Sequence, residues 1–234
     1  MKKLVLYILF FAALFSCQKE ELSQSQALGY FDKINFESYF DVELIQGNET
    51  KIEYIGSEKA VKNLSITVED SVLTLKNTSN WLWLNPDKNK MKLKITFQDL
   101  KQLNVYESCE IFSKDTLTGD ELGVIFASKL NNANLKLNYN TFFYYNNHPC
   151  GGKLTLSGSC NYLKIWNYAL MQVDASELNS HLVTIDNYSK GDCKVKTPNW
   201  IEYAIYGEGN IYCYGNPTQV VAKNSSTKGK FYLE

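Results

Sequence analysis

Few side chains in this chain have the type and spacing for acid–base or nucleophilic chemistry. There are two histidines, His148 and His181, and neither sits in an H-E-x-x-H or related spacing. Both therefore read as isolated surface residues rather than metal ligands. Five cysteines follow Cys17 at irregular intervals, Cys109, Cys150, Cys160, Cys193 and Cys213, with no C-x-x-C pair. That pattern reads as small apolar residues of a β core; one bridge formed in an oxidising compartment is the alternative. Acid–base cleavage of a glycosidic bond needs two carboxyl groups about 5–9.5 Å apart. Asp186 with Glu208, and Asp174 with Asp192, are pairs that a coil repeat would bring near one another, although solvated turn columns produce such pairs readily. No nucleophile elbow, phosphate loop or dinucleotide fingerprint is present, and no helix follows Gly207-Glu208-Gly209 or Cys150-Gly151-Gly152 to supply a dipole. The expectation is a protein that is not an enzyme, with no metal and no cofactor.

Aromatic side chains offer binding chemistry instead. Tyr144, Trp166, Tyr168, Tyr188 and Tyr206 recur at similar positions along the chain, and strand residues alternate faces, so some of them must point outward. Tyr and Trp present apolar area with a polar tip, which suits a sugar ring or a protein surface. The loop Trp81-Leu82-Trp83-Leu84-Asn85-Pro86 adds Trp81 and Trp83 to this candidate face. The competing reading is that these rings fill coil interiors and cover edges. All 24 basic residues are lysines, so the planar fork that reads phosphate and guanine is missing and nucleic acid is excluded as a partner.

The chain opens with Met1-Lys2-Lys3, an apolar run from Leu4 to Phe15, then Ser16-Cys17. A basic start, a dozen apolar residues and a small residue before the cut make a secretory signal peptide over residues 1–16, too short to span a bilayer. Leu14, Ser16 and Cys17 resemble the lipobox of bacterial lipoproteins, with Phe15 a bulky departure. The resemblance implies a diacylglycerol thioether on Cys17 and a palmitate-type acyl chain on the new N-terminus, enough for stable anchoring. Residues 17–29 read as a polar, flexible tether. Within it, Lys19-Glu20-Glu21 resembles the export signal that carries some lipoproteins across the outer membrane. That implies a lipid anchor in the outer membrane facing the cell surface, with a periplasm-facing anchor as the alternative.

These surfaces must be positioned by strands. From residue 103 apolar residues recur at Leu103, Leu122, Phe142, Leu163, Leu182, Ile201 and Val220, a period near 20, with Asn or Gly turn signals a few residues after most of them. No stretch sustains a helical i, i+3, i+4 pattern. A fixed period of this length with short strands reads as a right-handed parallel β-helix of about seven coils over residues 101–234. The recurring turn asparagines read as a structural ladder of stacked amides. Residues 30–100 alternate apolar and polar residues between turns and read as a β-rich N-terminal portion packed against, or continuing, the first coils.

The order Phe31-Asp32-Lys33-Ile34, Phe40-Asp41-Val42-Glu43-Leu44-Ile45-Gln46-Gly47, Leu73-Thr74-Leu75 and Leu100-Lys101-Gln102-Leu103 resembles the head GIN domain. So does the closing run from Tyr206 to Pro217. The resemblance covers residues 30–234 as one domain, and departs from the family's Ser-Gly-Ser turns at Glu107-Ser108, Asn167-Tyr168 and Asn187-Tyr188. It implies an all-β solenoid and an adhesin-like role at the cell envelope. The combined expectation is a lipid-anchored envelope protein presenting a non-catalytic surface to a glycan or protein ligand. The alternatives are a structural envelope component without a soluble ligand, or a polysaccharide-acting β-helix enzyme.

Overall fold

The computed structural model describes residues 21–78, 90–224 and 228–234. Cys17, Lys19, Glu20, Trp81 and Trp83 lie outside the described residues. The chain forms an all-β solenoid of about six turns, close to the seven expected. Its strands follow from the alternation of the sequence: in β3 (Phe40–Gln46), Phe40, Val42 and Leu44 turn inward while Asp41, Glu43 and Ile45 lie at least partly in solvent. Each inward set stacks on the next along the solenoid, so one continuous apolar core runs through the coils.

The regular coils are built by β8 (Gln102–Val105), β9 (Cys109–Ser113), β10 (Leu117–Phe126), β11 (Leu130–Tyr145), β12 (Gly151–Ser189), β13 (Cys193–Lys196), β14 (Trp200–Ile205), β15 (Ile211–Tyr214), β16 (Gln219–Asn224) and β17 (Phe231–Leu233). Their pairings are parallel, with Leu122 over Phe142 over Leu163, and Val183 over Ile201 over Val220. Leu182 was expected in this interior column, but it faces solvent at 42% exposure and pairs with Trp200, while Val183 takes the buried place. The coils are unequal: Asn167 bonds to Asn187 twenty residues on, whereas Asn187 lies opposite Ile205, eighteen on. A constant step of 19 therefore slips by one residue, and a one-residue slip exchanges the two faces of a strand.

The N-terminal portion continues the solenoid out of sequence order. β2 (Lys33–Phe36) and β3 form a coil stacked in parallel on β8 and β9. On its other side lies a coil of β6 (Val72–Asn77) and β7 (Met91–Phe97). Antiparallel strands close this end: β4 (Lys51–Ser57) on β7, and β5 (Leu64–Glu69) on β6. A single helical turn, α1 (Glu58–Lys62), links β4 to β5, its N-terminus capped by the Ser57 hydroxyl accepting from the Ala60 amide at 3.3 Å.

Part of the expected tether is structured. β1 (Glu21–Ala27) pairs antiparallel along all of β4, with Glu21 opposite Ser57 and Ala27 opposite Lys51. The outer edge of β4 offers backbone donors and acceptors that a polar segment can satisfy as well as an apolar one. Leu22 and Leu28 also rest against the core, and the Tyr54 hydroxyl donates to Gln24 Oε1 at 2.7 Å. At the opposite end, β16 and β17 form the last described rung, with Val220, Tyr232 and Leu233 exposed.

Candidate binding surface

The turn that closes each regular coil sorts side chains by chemistry. Asn146, Asn167 and Asn187 point inward and are buried. Asn146 Oδ1 accepts from the Tyr168 amide at 2.7 Å, and its Nδ2 donates to the Tyr168 carbonyl at 3.1 Å. Asn167 Nδ2 donates to Asn187 Oδ1 at 3.2 Å, and Asn187 Nδ2 to the Gly209 carbonyl at 3.1 Å. Of the amide ladder that their period suggested, one side-chain rung forms, Asn167 to Asn187; Asn146 and Asn187 otherwise bond to backbone of the next coil. The column ends at Ile205, which lies opposite Asn187, and a Cβ at Gly209 would collide with the Gly191 carbonyl.

With the asparagines turned in, their strand neighbours are forced out. Tyr145, Trp166, Tyr188 and Tyr206 form a continuous file of rings on the outside of the solenoid. Successive centroids are 6.1, 5.0 and 4.2 Å apart, and the planes close from 39° to 31° to 10°. These separations follow from the rung spacing of about 4.8 Å, so the register itself builds the stack. Trp166 is 38% exposed and Tyr206 44%. Burial between its neighbours, then the adjoining Tyr206 phenol, pushes the Tyr188 hydroxyl above its ordinary value.

Of the residues expected on this face, the structure brings together Trp166, Tyr188 and Tyr206. Tyr168 is 40% exposed beside them, and its ring makes none of these stacking contacts. Tyr144 is a correction. It is 1% exposed, packs edge-on against Phe126 at 5.5 Å, and its hydroxyl has no partner among the described residues. Burial holds that hydroxyl protonated well above the usual phenol range. Its neighbour Tyr145 occupies the outward place. The signal that would have found it is Asn146, whose inward turn fixes the parity of the residue before it.

The carboxylates expected to pair are engaged separately. Asp186 lies opposite Ala204, not Glu208, and burial raises its carboxyl, with Lys223 opposing and Glu202 adding to the shift. Glu208 bonds to Lys228 at 2.8 Å. Burial alone would raise Asp174, but the Ser176 hydroxyl at 2.7 Å and Lys153 at 3.1 Å hold it below the ordinary carboxylate value. Asp192 accepts from the Asn210 amide at 2.7 Å. His148 is exposed, and His181 Nδ1 is bonded to the Asn199 amide at 2.9 Å. Among the described residues no cluster of three or more His, Cys, Asp or Glu side chains forms a metal set. The five described cysteines are buried free thiols, as core residues should be.

Comparison with known proteins places this geometry. Among curated proteins, none matches the chain. A putative adhesin from Bacteroides fragilis superposes with a TM-score of 0.83 at 18% identity, covering 93% of this chain and 98% of that one. A putative lipid binding protein from Parabacteroides distasonis gives 0.64 at 13% identity, covering 91% and 97%. A putative adhesin from Parabacteroides merdae gives 0.57 at 16% identity, covering 92% and 97%. At these identities the likeness establishes the fold, and none of the three names is that of an enzyme. The family model "Putative auto-transporter adhesin, head GIN domain" matches residues 30–217, from the start of the first described coil to the terminal glycine-rich turn. The chain therefore belongs to the head GIN domain family.

Proposed function

We propose that the protein is a lipid-anchored module of the cell envelope that presents a non-catalytic, adhesin-like recognition surface, and that the outward file Tyr145–Trp166–Tyr188–Tyr206 is its contact face. The observation that carries this reading is the exposure of a stacked aromatic row in a protein whose core is already filled with apolar side chains. Such rows offer rigid, amphipathic area at low entropic cost, which is the chemistry of binding hot spots. The anchor is proposed from Cys17, and outer-membrane surface display from Lys19-Glu20-Glu21. The adhesin names of the family and of two relatives support the role.

The reading is tested on Trp166→Ala and Tyr188→Ala, with cell-adhesion binding and thermal melting measured on the same preparations. A contact face loses roughly thirtyfold in binding, about 2 kcal/mol, while melting changes little. A purely structural stack loses stability, about 0.5–1.5 kcal/mol per ring pair, with binding to any captured ligand unchanged. The second pattern in both variants would remove the aromatic face from consideration.

A further inference from the structure

A second surface lies apart from the aromatic file, where each coil bends from one sheet to the next. In β11 the bend at Asn140 is five residues before Tyr145, about 16 Å along the strand. At this bend a single inward side chain is flanked on both sides by outward polar ones. Tyr139, Cys160 and Ser180 point in. Asn138, Ser159 and Asn179 form one outward column, and Asn140, Asn161 and His181 the other. Between them runs a groove of about 770 Å³, continued by Thr118 at one end and Lys196 at the other. From Thr118 to Lys196 is four rungs, a length of about 19 Å.

The groove is lined almost wholly by uncharged polar side chains, Lys196 at one end apart, and those side chains are held in place. Ser159 Oγ donates to Asn138 Oδ1 at 3.1 Å. Asn161 Nδ2 donates to Asn140 Oδ1 at 2.8 Å, and Asn140 Nδ2 to Asp120 Oδ1 at 3.1 Å. The floor is fixed by Tyr139, whose hydroxyl donates to the Leu100 carbonyl at 3.1 Å, and by the Cys160–Ser180 contact at 3.4 Å. These bonds leave Asn138 Nδ2, Asn161 Oδ1 and the whole Asn179 amide without protein partners among the described residues. Free donors and acceptors are therefore presented from both columns, at intervals set by the rungs. No carboxylate lines the groove, so it has no acid–base pair for glycoside cleavage. Lys196 is its only lysine, so it lacks the cationic cluster that an anionic polymer requires.

We infer that this groove is a binding site for a neutral, extended, linear glycan lying along the solenoid axis. The hydroxyls of successive sugar units bond to the amides of successive rungs, and the chain is held without being cut. A polyhydroxylated, uncharged chain is the ligand class that satisfies amide donors and acceptors together, with no ion to neutralise.

The test is isothermal titration of the mature, detergent-solubilised protein with cellohexaose, xylohexaose and mannohexaose, and with hexagalacturonate as the anionic counterpart. The expected result is binding of at least one neutral hexaose, with hexagalacturonate no tighter. The double variant Asn161→Ala, Asn179→Ala then loses at least tenfold in affinity at unchanged melting temperature, because both positions are exposed. Trp166→Ala changes the affinity for that hexaose less than threefold, which separates this site from the aromatic face. Failure of all three neutral hexaoses to bind would overturn the inference. So would full affinity in the double variant, or loss in Trp166→Ala with the double variant unaffected; that last result would leave the aromatic reading standing.

Discussion

At the scale of single residues, the thiols carry the clearest physical consequence. Burial pushes Cys109 and Cys193 from 9.0 up to about 12 and Cys213 up to about 11. A folded-state value above the unfolded one means the native state holds its protons more tightly. The contribution is therefore complete below about pH 9 and is lost as pH rises through the window from 9 towards 11–12. The unfolding free energy from urea titrations should fall between pH 8 and pH 10.5, by an amount on the order of a few kcal/mol. The double variant Cys109→Ala, Cys193→Ala should show a shallower alkaline decline, whatever its stability at pH 8. An identical decline in variant and wild type would show that the thiols are not buried as described. The same burial makes them unreactive, since the thiolate is the attacking species.

At the scale of elements, the register of the coils is what a substitution can test. Val183→Asp places an unpaired carboxylate between Leu163 and Ile201 in the core and should cost several kcal/mol, enough to unfold several coils. Leu182→Asp, one residue earlier on the solvent face, should stay within about 0.5 kcal/mol of wild type by chemical denaturation. Equal effects from the two would refute the register. That pair also marks what could be read from the sequence. The period near 20, the all-β class and a structural role for the turn asparagines were legible because they depend only on residue type recurring from coil to coil. Parity was not legible where coil length changes from 20 to 18, which moved Leu182 outward. A doubled Tyr144-Tyr145 gives no alternation to read, so which of the two rings turns inward is not visible in the sequence. The position of the β6–β7 coil outside β2–β3 was hidden because strand order in space departs from order in the chain. Polar groove columns at Asn138-x-Asn140, Ser159-x-Asn161 and Asn179-x-His181 carried the same period, but in side chains that also read as ordinary solvated turns.

At the scale of the whole molecule, address and architecture meet in the segment ahead of the first coil. Cys17→Ala should abolish lipid labelling and move the protein out of the membrane fraction; unchanged retention would sink the proposed anchor. Since Glu21 belongs to β1, the export signal is tested most cleanly by replacing Lys19 and Glu20 alone. Intact cells should then shield the domain from added protease, whereas equal digestion before and after would show that the two residues carry no address. The placement of β1 also has a mechanical consequence. Its strand runs across the solenoid axis, on the outermost edge, with only Leu22 partly buried. A pull along the axis from the anchored end loads the β1–β4 bonds one after another, starting at Glu21, rather than all at once. β1 can then peel from the edge while the coils behind it stay folded. Seven extended residues add at most about 25 Å of reach. An envelope protein held at one end and gripped at the other would thereby have an extensible first link, which yields before its binding coils are strained.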